Sequence, residues 1–72
     1  MIGLDLDITK REVQVLGHMA KGASSKEIAH SLCISEHTVM SHRKNLLKKL
    51  EARNSAHLIY KSIRIGVISI YN

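Results

Sequence analysis

The sequence predicts an all-α fold of four helices packed as one small domain. Three observations predict it. Apolar residues recur every three or four positions along most of the chain, a capping residue precedes each periodic segment, and no proline interrupts them. A chain of 72 residues buries only about 60% of its unfolded surface, which leaves no room for a second core. The helical unit is expected to span residues 8–66, between a lead-in or linker at 1–7 and a tail at 67–72.

The first helix is predicted to begin after Thr9. Thr9 and Glu12 have the spacing of a capping box, in which each side chain accepts a hydrogen bond from the backbone N–H of the other residue. Ile8 and Val13 flank this cap as a hydrophobic staple does. Gly22 supplies the left-handed residue that commonly follows a helix. The inward stripe of this helix comprises Val15, Leu16, Met19 and Ala20.

Two further helices are predicted around a tight turn at residues 33–34. Ser24 and Glu27 repeat the capping box, and Ser35 caps the longer helix that follows. The apolar positions of the two helices are Ile28, Ala29, Leu32, Val39, Leu46 and Leu50, with His42 at their edge. Two helices joined by a short turn, the second carrying a polar face, form the layout of a DNA-binding helix-turn-helix.

A fourth helix is predicted from a cap at Asn54 to about Ile65, and Gly66 ends it. The following residues 67–71 alternate between β-branched and other side chains, so an extended tail is expected. The fourth helix has more apolar surface than one edge of a small core needs. This surface either covers the core or forms a self-complementary dimer patch, whose candidate residues are Leu58, Ile59 and Ile63.

Composition narrows the class of partner. The net charge of +5 and the pI near 9.7 favour a polyanion such as nucleic acid. The aromatic residues are Tyr60 and Tyr71 alone, which argues against the stacking platforms that bind single strands. The single cysteine, Cys33, excludes an internal disulfide, suits a cytoplasmic location and is expected to pack as a small apolar residue. No apolar run is long enough for a membrane span, and the N-terminus is no secretory signal.

The outward side of the third helix carries the candidate DNA contacts. An α-helix fits the major groove, and positions 37, 40, 41, 44 and 48 lie on one side of a helix with 3.6 residues per turn. Helix N-termini also attract phosphates through their free N–H groups. The expected contacts to the DNA backbone are Ser25, Lys26, Ser35, His37, Thr38, Arg43, Lys48 and Arg53.

The residues that match in register resemble the LuxR/NarL-type DNA-binding domain over about residues 8–68. They are Ile8, Thr9, Arg11, Glu12, Gly22, Ser24, Lys26, Glu27, Ile28, Ala29, Leu32, Ile34, Ser35, Thr38, Val39, His42, Arg43, Asn45, Lys49 and Leu50. The resemblance implies a four-helix domain that binds duplex DNA as a transcriptional regulator. It also implies dimerisation through the fourth helix, with one third helix in each major groove.

The resemblance assigns base reading to Met40, Ser41 and Lys44. Lys44 can donate to a guanine edge, whereas Met40 stands where relatives often have Lys or Arg and can make only apolar contact, for example with a thymine methyl. Ser55 and His57 stand where the family often has Arg and an acid. The fourth helix is therefore expected to be capped or paired differently from that of its relatives.

Two other functions are consistent with the sequence. A promoter-recognition domain like region four of a sigma factor shares much of the same pattern, and RNA polymerase is a further candidate partner in either case. A helical protein-interaction module with a basic face is the alternative from another class. We expect no enzyme, no small-molecule ligand and no cofactor, because Cys33 and His37 lack an orienting acid and the histidines lack the spacing of a zinc site. Lys49 is expected either to pair with Glu12 or to bind DNA.

Overall fold

The structure is a computed structural model that describes residues 7–68. Within that range the chain forms four α-helices and no strand, so the predicted all-α fold is confirmed. The helices are α1 (Lys10–Ala20), α2 (Ser25–Leu32), α3 (Glu36–Lys49) and α4 (Ser55–Arg64). The lead-in, except Asp7, and residues 69–72 of the predicted extended tail lie outside the described residues.

Each helix begins directly after its predicted cap. Thr9 Oγ1 accepts from the Glu12 N–H at 3.1 Å, and Glu12 Oε1 accepts from the Thr9 N–H at 3.0 Å. Ser24 and Glu27 form the same reciprocal pair at 3.1 and 2.7 Å. Both capping boxes predicted from the sequence are therefore present, and they satisfy N–H groups that a first helical turn leaves without an acceptor.

The core lies where all four helices meet. Because inward positions recur at helical spacing, each helix buries one stripe against the others. Ala20 was expected in the stripe of α1 but is exposed, since it lies at the last turn, beyond the reach of the other helices. The buried apolar residues are Val15, Leu16, Ile28, Ala29, Val39, Leu46, Leu50 and Leu58.

The turn between α2 and α3 depends on Cys33. Its φ of 57° and ψ of 44° are left-handed, and its backbone N–H donates to the carbonyl oxygens of the last turn of α2. The next N–H, of Ile34, donates to the Ala29 carbonyl at 3.0 Å and closes the helix. The Cys33 side chain is exposed, so the expectation that it packs as a small apolar residue was wrong.

A partly buried ion pair joins α3 to α1. Lys49 Nζ lies 2.7 Å from Glu12 Oε1 and also donates to the Asp7 carbonyl at 2.8 Å. Burial alone would raise the pKa of Glu12. The hydrogen bonds from Lys49 and from the Thr9 N–H, together with the charges of Lys49 and His42, outweigh burial and lower the pKa of Glu12. Of the two expectations for Lys49, the pairing with Glu12 is the one that the structure supports.

The segment after α4 folds back on the helix end. The N–H groups of Val67 and Ile68 both donate to the Ser62 carbonyl, at 2.9 and 3.4 Å, after Gly66 has adopted a left-handed φ of 83°. The first two residues of the predicted extended tail therefore form a helix-terminating turn. No helix within residues 7–68 is both long and apolar enough to cross a membrane.

Candidate nucleic-acid interface

The outward side of α3 presents the three predicted base readers next to one another. Met40 is 60% exposed, and Ser41 and Lys44 are exposed as well. Because Lys44 follows Ser41 by three residues and Met40 by four, about one helical turn, it neighbours both of them on the surface of α3. All three line an open groove whose remaining walls are formed by His37, Arg43, Leu47 and Ser55.

Two lysines on the outward side of α3 are available to an anionic partner. Lys44 and Lys48 are exposed, and within residues 7–68 neither ammonium forms an ion pair. Lys49, in contrast, is held by Glu12. The sequence placed Lys48 on the outward side and left Lys49 open between pairing with Glu12 and binding DNA. In the structure Lys48 is exposed, and Lys49 is paired with Glu12 at the edge of the core.

Several predicted phosphate contacts lie at the starts of helices, chiefly those of α2 and α3. Ser35 Oγ accepts from the Thr38 N–H at 3.0 Å, and the hydroxyls of the same two residues lie 2.9 Å apart. Ser25 is the first residue of α2, and Lys26 beside it is exposed. His37 and Arg53 are also exposed, at the starts of α3 and α4. Along the chain, Ser35, His37 and Thr38 precede the base readers at the start of α3, and Lys48 follows them.

Arg43 is placed differently from the other predicted phosphate contacts. Its Nη1 donates to Ser25 Oγ and its Nη2 to Ser55 Oγ, each at 2.7 Å, in partly buried surroundings. The guanidinium is thus engaged by two side chains of the same domain. Sequence reasoning missed this, because Ser25 and Ser55 are 18 and 12 residues away and only the packed fold brings them together.

The start of α4 is capped by an amide and an imidazole. Asn54 Oδ1 accepts from the His57 N–H at 2.9 Å, and His57 Nδ1 accepts from the Arg53 N–H at 3.0 Å. His57 accepts from Arg53, the residue before the cap, whereas Glu12 and Glu27 each accept from the N–H of the cap residue itself. That α4 is capped or paired differently from its relatives stays a prediction.

The predicted dimer residues of α4 separate into two groups. Leu58 is fully buried in the core, so the expectation that it contacts a partner was wrong; its side chain has no surface to offer. Ile59 and Ile63 are half-buried, and Tyr60 between them is 56% exposed. The Arg64 guanidinium covers the Tyr60 ring at 5.8 Å from its centroid and donates to its hydroxyl at 3.0 Å.

Comparison with known proteins identifies the family of the chain. The family profile described as "Bacterial regulatory proteins, luxR family" matches residues 7–62, which include all four capping residues and most of α4. The chain belongs to the luxR family. This family consists of regulatory proteins rather than enzymes, and no group of three or more His, Cys, Asp or Glu that could hold a metal occurs in the described residues.

Curated relatives are longer than this luxR-family chain. A response regulatory protein, YgeK, of Escherichia coli (strain K12) is 41% identical over 66 residues, which cover 92% of this chain and 45% of YgeK. The transcriptional regulatory protein LnrK of Bacillus subtilis (strain 168) is 42% identical over 62 residues, covering 86% of this chain and 28% of LnrK. The chain therefore spans less than half the length of these relatives.

Solved structures of similar fold agree with the family assignment. The transcription factor GerE superposes with a TM-score of 0.82 at 33% identity, over 85% of this chain and 91% of GerE. The phage VqmA–DPO complex superposes with a TM-score of 0.83 at 29% identity, over 96% of this chain and 32% of VqmA. The chain thus belongs to the luxR family and has the GerE-like four-helix fold.

Proposed function

We propose that this luxR-family domain binds double-stranded DNA in a sequence-specific way, with α3 in the major groove. The observation that carries the proposal is the outward side of α3, where Met40, Ser41 and Lys44 are exposed together on a helix whose opposite side is fixed in the core. A helix held in this way can insert its outward side chains among base edges without losing its own packing.

The three proposed readers differ in chemistry. Lys44 supplies a free ammonium that can donate to the acceptors of a guanine. The Ser41 hydroxyl can donate or accept, and Met40 offers an apolar surface that suits a thymine methyl. We therefore infer a half-site in which a guanine and a thymine occupy neighbouring positions under α3.

Phosphate contacts are proposed to fix α3 in the groove from both ends. Lys48 supplies a charge along α3, and the starts of α2 and α3 supply N–H groups with hydroxyls beside them. The proposed contacts are Ser25, Lys26, Ser35, His37, Thr38, Lys48 and Arg53. Arg43 was predicted among them, but its hydrogen bonds to two serines of the same domain favour a role within the fold.

A titration of duplex DNA at several salt concentrations tests this function. Phosphate contacts release counterions, so the slope of log K against log salt should be about −0.9 for each contact. Lys26→Ala should reduce that slope by about one contact. The matched control is Lys10→Ala, at the exposed start of α1, which should leave the slope unchanged. Absence of duplex binding at low salt would overturn the proposal and favour a protein-interaction module with a basic face.

We propose that two copies pair through α4, so that two α3 helices meet half-sites about one helical turn apart. The support is the apolar stripe of Ile59 and Ile63 next to the exposed Tyr60. Ile63→Glu should prevent pairing on DNA and leave the monomer folded, as read by sedimentation and circular dichroism. His30→Glu, at an exposed site on α2, is the matched control for the added charge.

The whole protein in which this domain acts is also a matter of proposal. We propose that residues 8–66 are the DNA-binding unit, with 67–72 as a tail, and that the protein regulates transcription in the cytoplasm, where its proposed partner is found. The match to the luxR family over residues 7–62 favours this over a sigma-factor domain. RNA polymerase is a further proposed partner, which a two-component binding assay on a duplex carrying the selected site can test.

A further inference from the structure

Arg43 connects three helices through one side chain. It lies in the middle of α3, and its two terminal nitrogens donate to Ser25 and Ser55 at 2.7 Å each. Ser25 is the first residue of α2 and Ser55 is the first residue of α4. A single guanidinium therefore fixes the beginnings of both neighbouring helices with respect to the recognition helix.

Arg43 also stands between two concave surfaces. Arg43 and Ser55 line the groove that contains the proposed base readers. The same two residues line a shallow pocket of about 260 Å³ on the other side, between the end of α1 and the start of α4. The remaining walls of that pocket are Met19, Gly22, Ala23, Ala56 and Ile59. The two hydrogen bonds from Arg43 to Ser25 and Ser55 form a link between the helices. This link lies between the proposed base-reading side of α3 and α4, the helix through which two copies are proposed to pair.

The chemistry of this link depends on geometry more than on charge. Both acceptors are neutral hydroxyls, and within residues 7–68 no carboxylate forms an ion pair with Arg43. Hydrogen bonds from a charged donor are short and strong, which agrees with the two 2.7 Å distances. A guanidinium presents its donors in a rigid plane and can hold two acceptors at a fixed separation. An ammonium is a point charge on a flexible stem and cannot do so.

Besides Arg43, Lys61 joins α4 to the segment just after α3: its Nζ donates to the Glu51 carbonyl at 3.3 Å, from the second half of α4 and not from its first turn. Leu58 anchors the middle of the helix in the core, and the buried Ser62 hydroxyl donates within α4 itself, to the Leu58 carbonyl at 2.7 Å. Apolar packing is not directional, so it holds α4 against the core without fixing its first turn to α3. The hydrogen bond from Arg43 to Ser55 supplies that directional contact.

We propose that Arg43 is a positioning residue that sets the orientation of α4 relative to α3 and thereby the spacing at which two copies read paired half-sites. The inference rests on the proposed function, since spacing has meaning only for a paired DNA-binding domain. A small rotation of α4 in each copy moves the second α3 relative to the first. Binding of one copy to a single half-site does not depend on the position of a second α3.

The test compares duplexes that differ in the number of intact half-sites and in the spacing between them. The wild-type chain first selects its site from a random duplex pool. Affinity is then measured for the paired site, for a duplex with one half-site scrambled, and for paired sites lengthened by one and two base pairs. The variants are Arg43→Lys, which keeps the charge and removes the fork, and Ser55→Ala, which removes one acceptor. Arg11→Lys and Ser31→Ala, on α1 and α2, are the matched controls.

Arg43→Lys and Ser55→Ala are each expected to weaken binding to the paired site by about fivefold, a fraction of the effect of a charge-assisted hydrogen bond. Binding to the single half-site should stay within about twofold, and the preference for the selected spacing should diminish in both variants. The double variant should be no weaker than either single one, because both remove the same link. Thermal unfolding followed by circular dichroism verifies that each variant is folded at the assay temperature.

Three results would overturn the inference. Equal losses on the half-site and the paired site, with an Arg43→Met slope against salt that is smaller by about 0.9, would make Arg43 a phosphate contact. Wild-type affinity and spacing preference in both Arg43→Lys and Ser55→Ala would mean that the link positions nothing. Failure of the wild-type chain to bind any duplex would overturn the proposed function, and with it this inference.

Discussion

The two sides of α3 are built from different kinds of contact. On the inward side Val39 and Leu46 are fully buried, and Lys49 at the end of the helix is held by Glu12. On the outward side Met40 is 60% exposed and Lys44 is an exposed cation without an ion-pair partner among residues 7–68. One side therefore holds the fold and the other is available for recognition. Stability and DNA binding should respond to different substitutions in the same helix.

The largest expected effect is on the inward side, at Leu46. Leu46→Ala should lower the free energy of unfolding by about 3–4 kcal/mol, because it opens a cavity in a fully buried site. Leu47→Ala is the matched control, since Leu47 is half-buried and next to it in the chain, and should cost about 1–2 kcal/mol. Urea denaturation measures both. Equal losses in the two variants would contradict the division into two sides.

The second-largest effect on the free energy of unfolding is expected for the ion pair between Lys49 and Glu12. Lys49→Met leaves the Glu12 carboxylate, whose side chain is only 4% exposed, without its cation. We expect a loss of about 2–3 kcal/mol in unfolding free energy, less than for a fully buried pair because the Lys49 side chain is 27% exposed. Lys48→Met, one residue away on the outward side, should change stability little. A Lys49→Met variant as stable as Lys48→Met would mean that the pair fastens nothing.

On the outward side, Lys44→Ala should affect binding alone. The free energy of specific binding should fall by about 1–2 kcal/mol, and non-specific binding should fall less, because a base contact distinguishes sequences and a phosphate contact does not. Unfolding free energy should be unchanged, which urea denaturation verifies. An equal loss on all duplexes would make Lys44 a phosphate contact.

The smallest effect concerns pH and returns to Glu12. The folded domain lowers the pKa of this carboxyl, so the ionised form is stabilised by folding. That stability is present above the ordinary pKa of a glutamate, about 4.3, and is lost as pH falls through the lower folded value. Thermal unfolding between about pH 5 and 2 should show a decline that Glu12→Gln reduces. An identical decline in wild type and variant would assign acid sensitivity to other groups.

The sequence predicted most of the fold because its signals are local. Thr9, Ser24, Ser35 and Asn54 each cap a helix within three residues of the group they satisfy, and these caps occur as predicted. The left-handed conformation at Cys33 was not predicted, because that residue type does not favour it and only the geometry of the turn requires it.

The candidate site was predicted less evenly, for a physical reason. Which residues of α3 point outward follows from 3.6-residue periodicity, so Met40, Ser41 and Lys44 could be placed on the outward side before any fold was known. Their selection as base readers came from the family resemblance. Contacts across the chain do not follow from periodicity. The pairing of Lys49 with Glu12, 37 residues away, was left open, and the hydrogen bonds of Arg43 were missed. Leu58 was assigned to an interface because spacing along α4 does not distinguish a buried position from one at the edge.

Selection of bound sequences from a random duplex pool tests the central claim most directly. The wild-type chain should enrich two half-sites related by symmetry, about one helical turn apart, and Lys44→Ala should relax the preference at one position in each half-site. Lys10→Ala, at the exposed start of α1, should enrich the same sequences as wild type. A wild-type pool without an enriched sequence, or a Lys44→Ala pool identical to it, would contradict base reading by the outward side of α3.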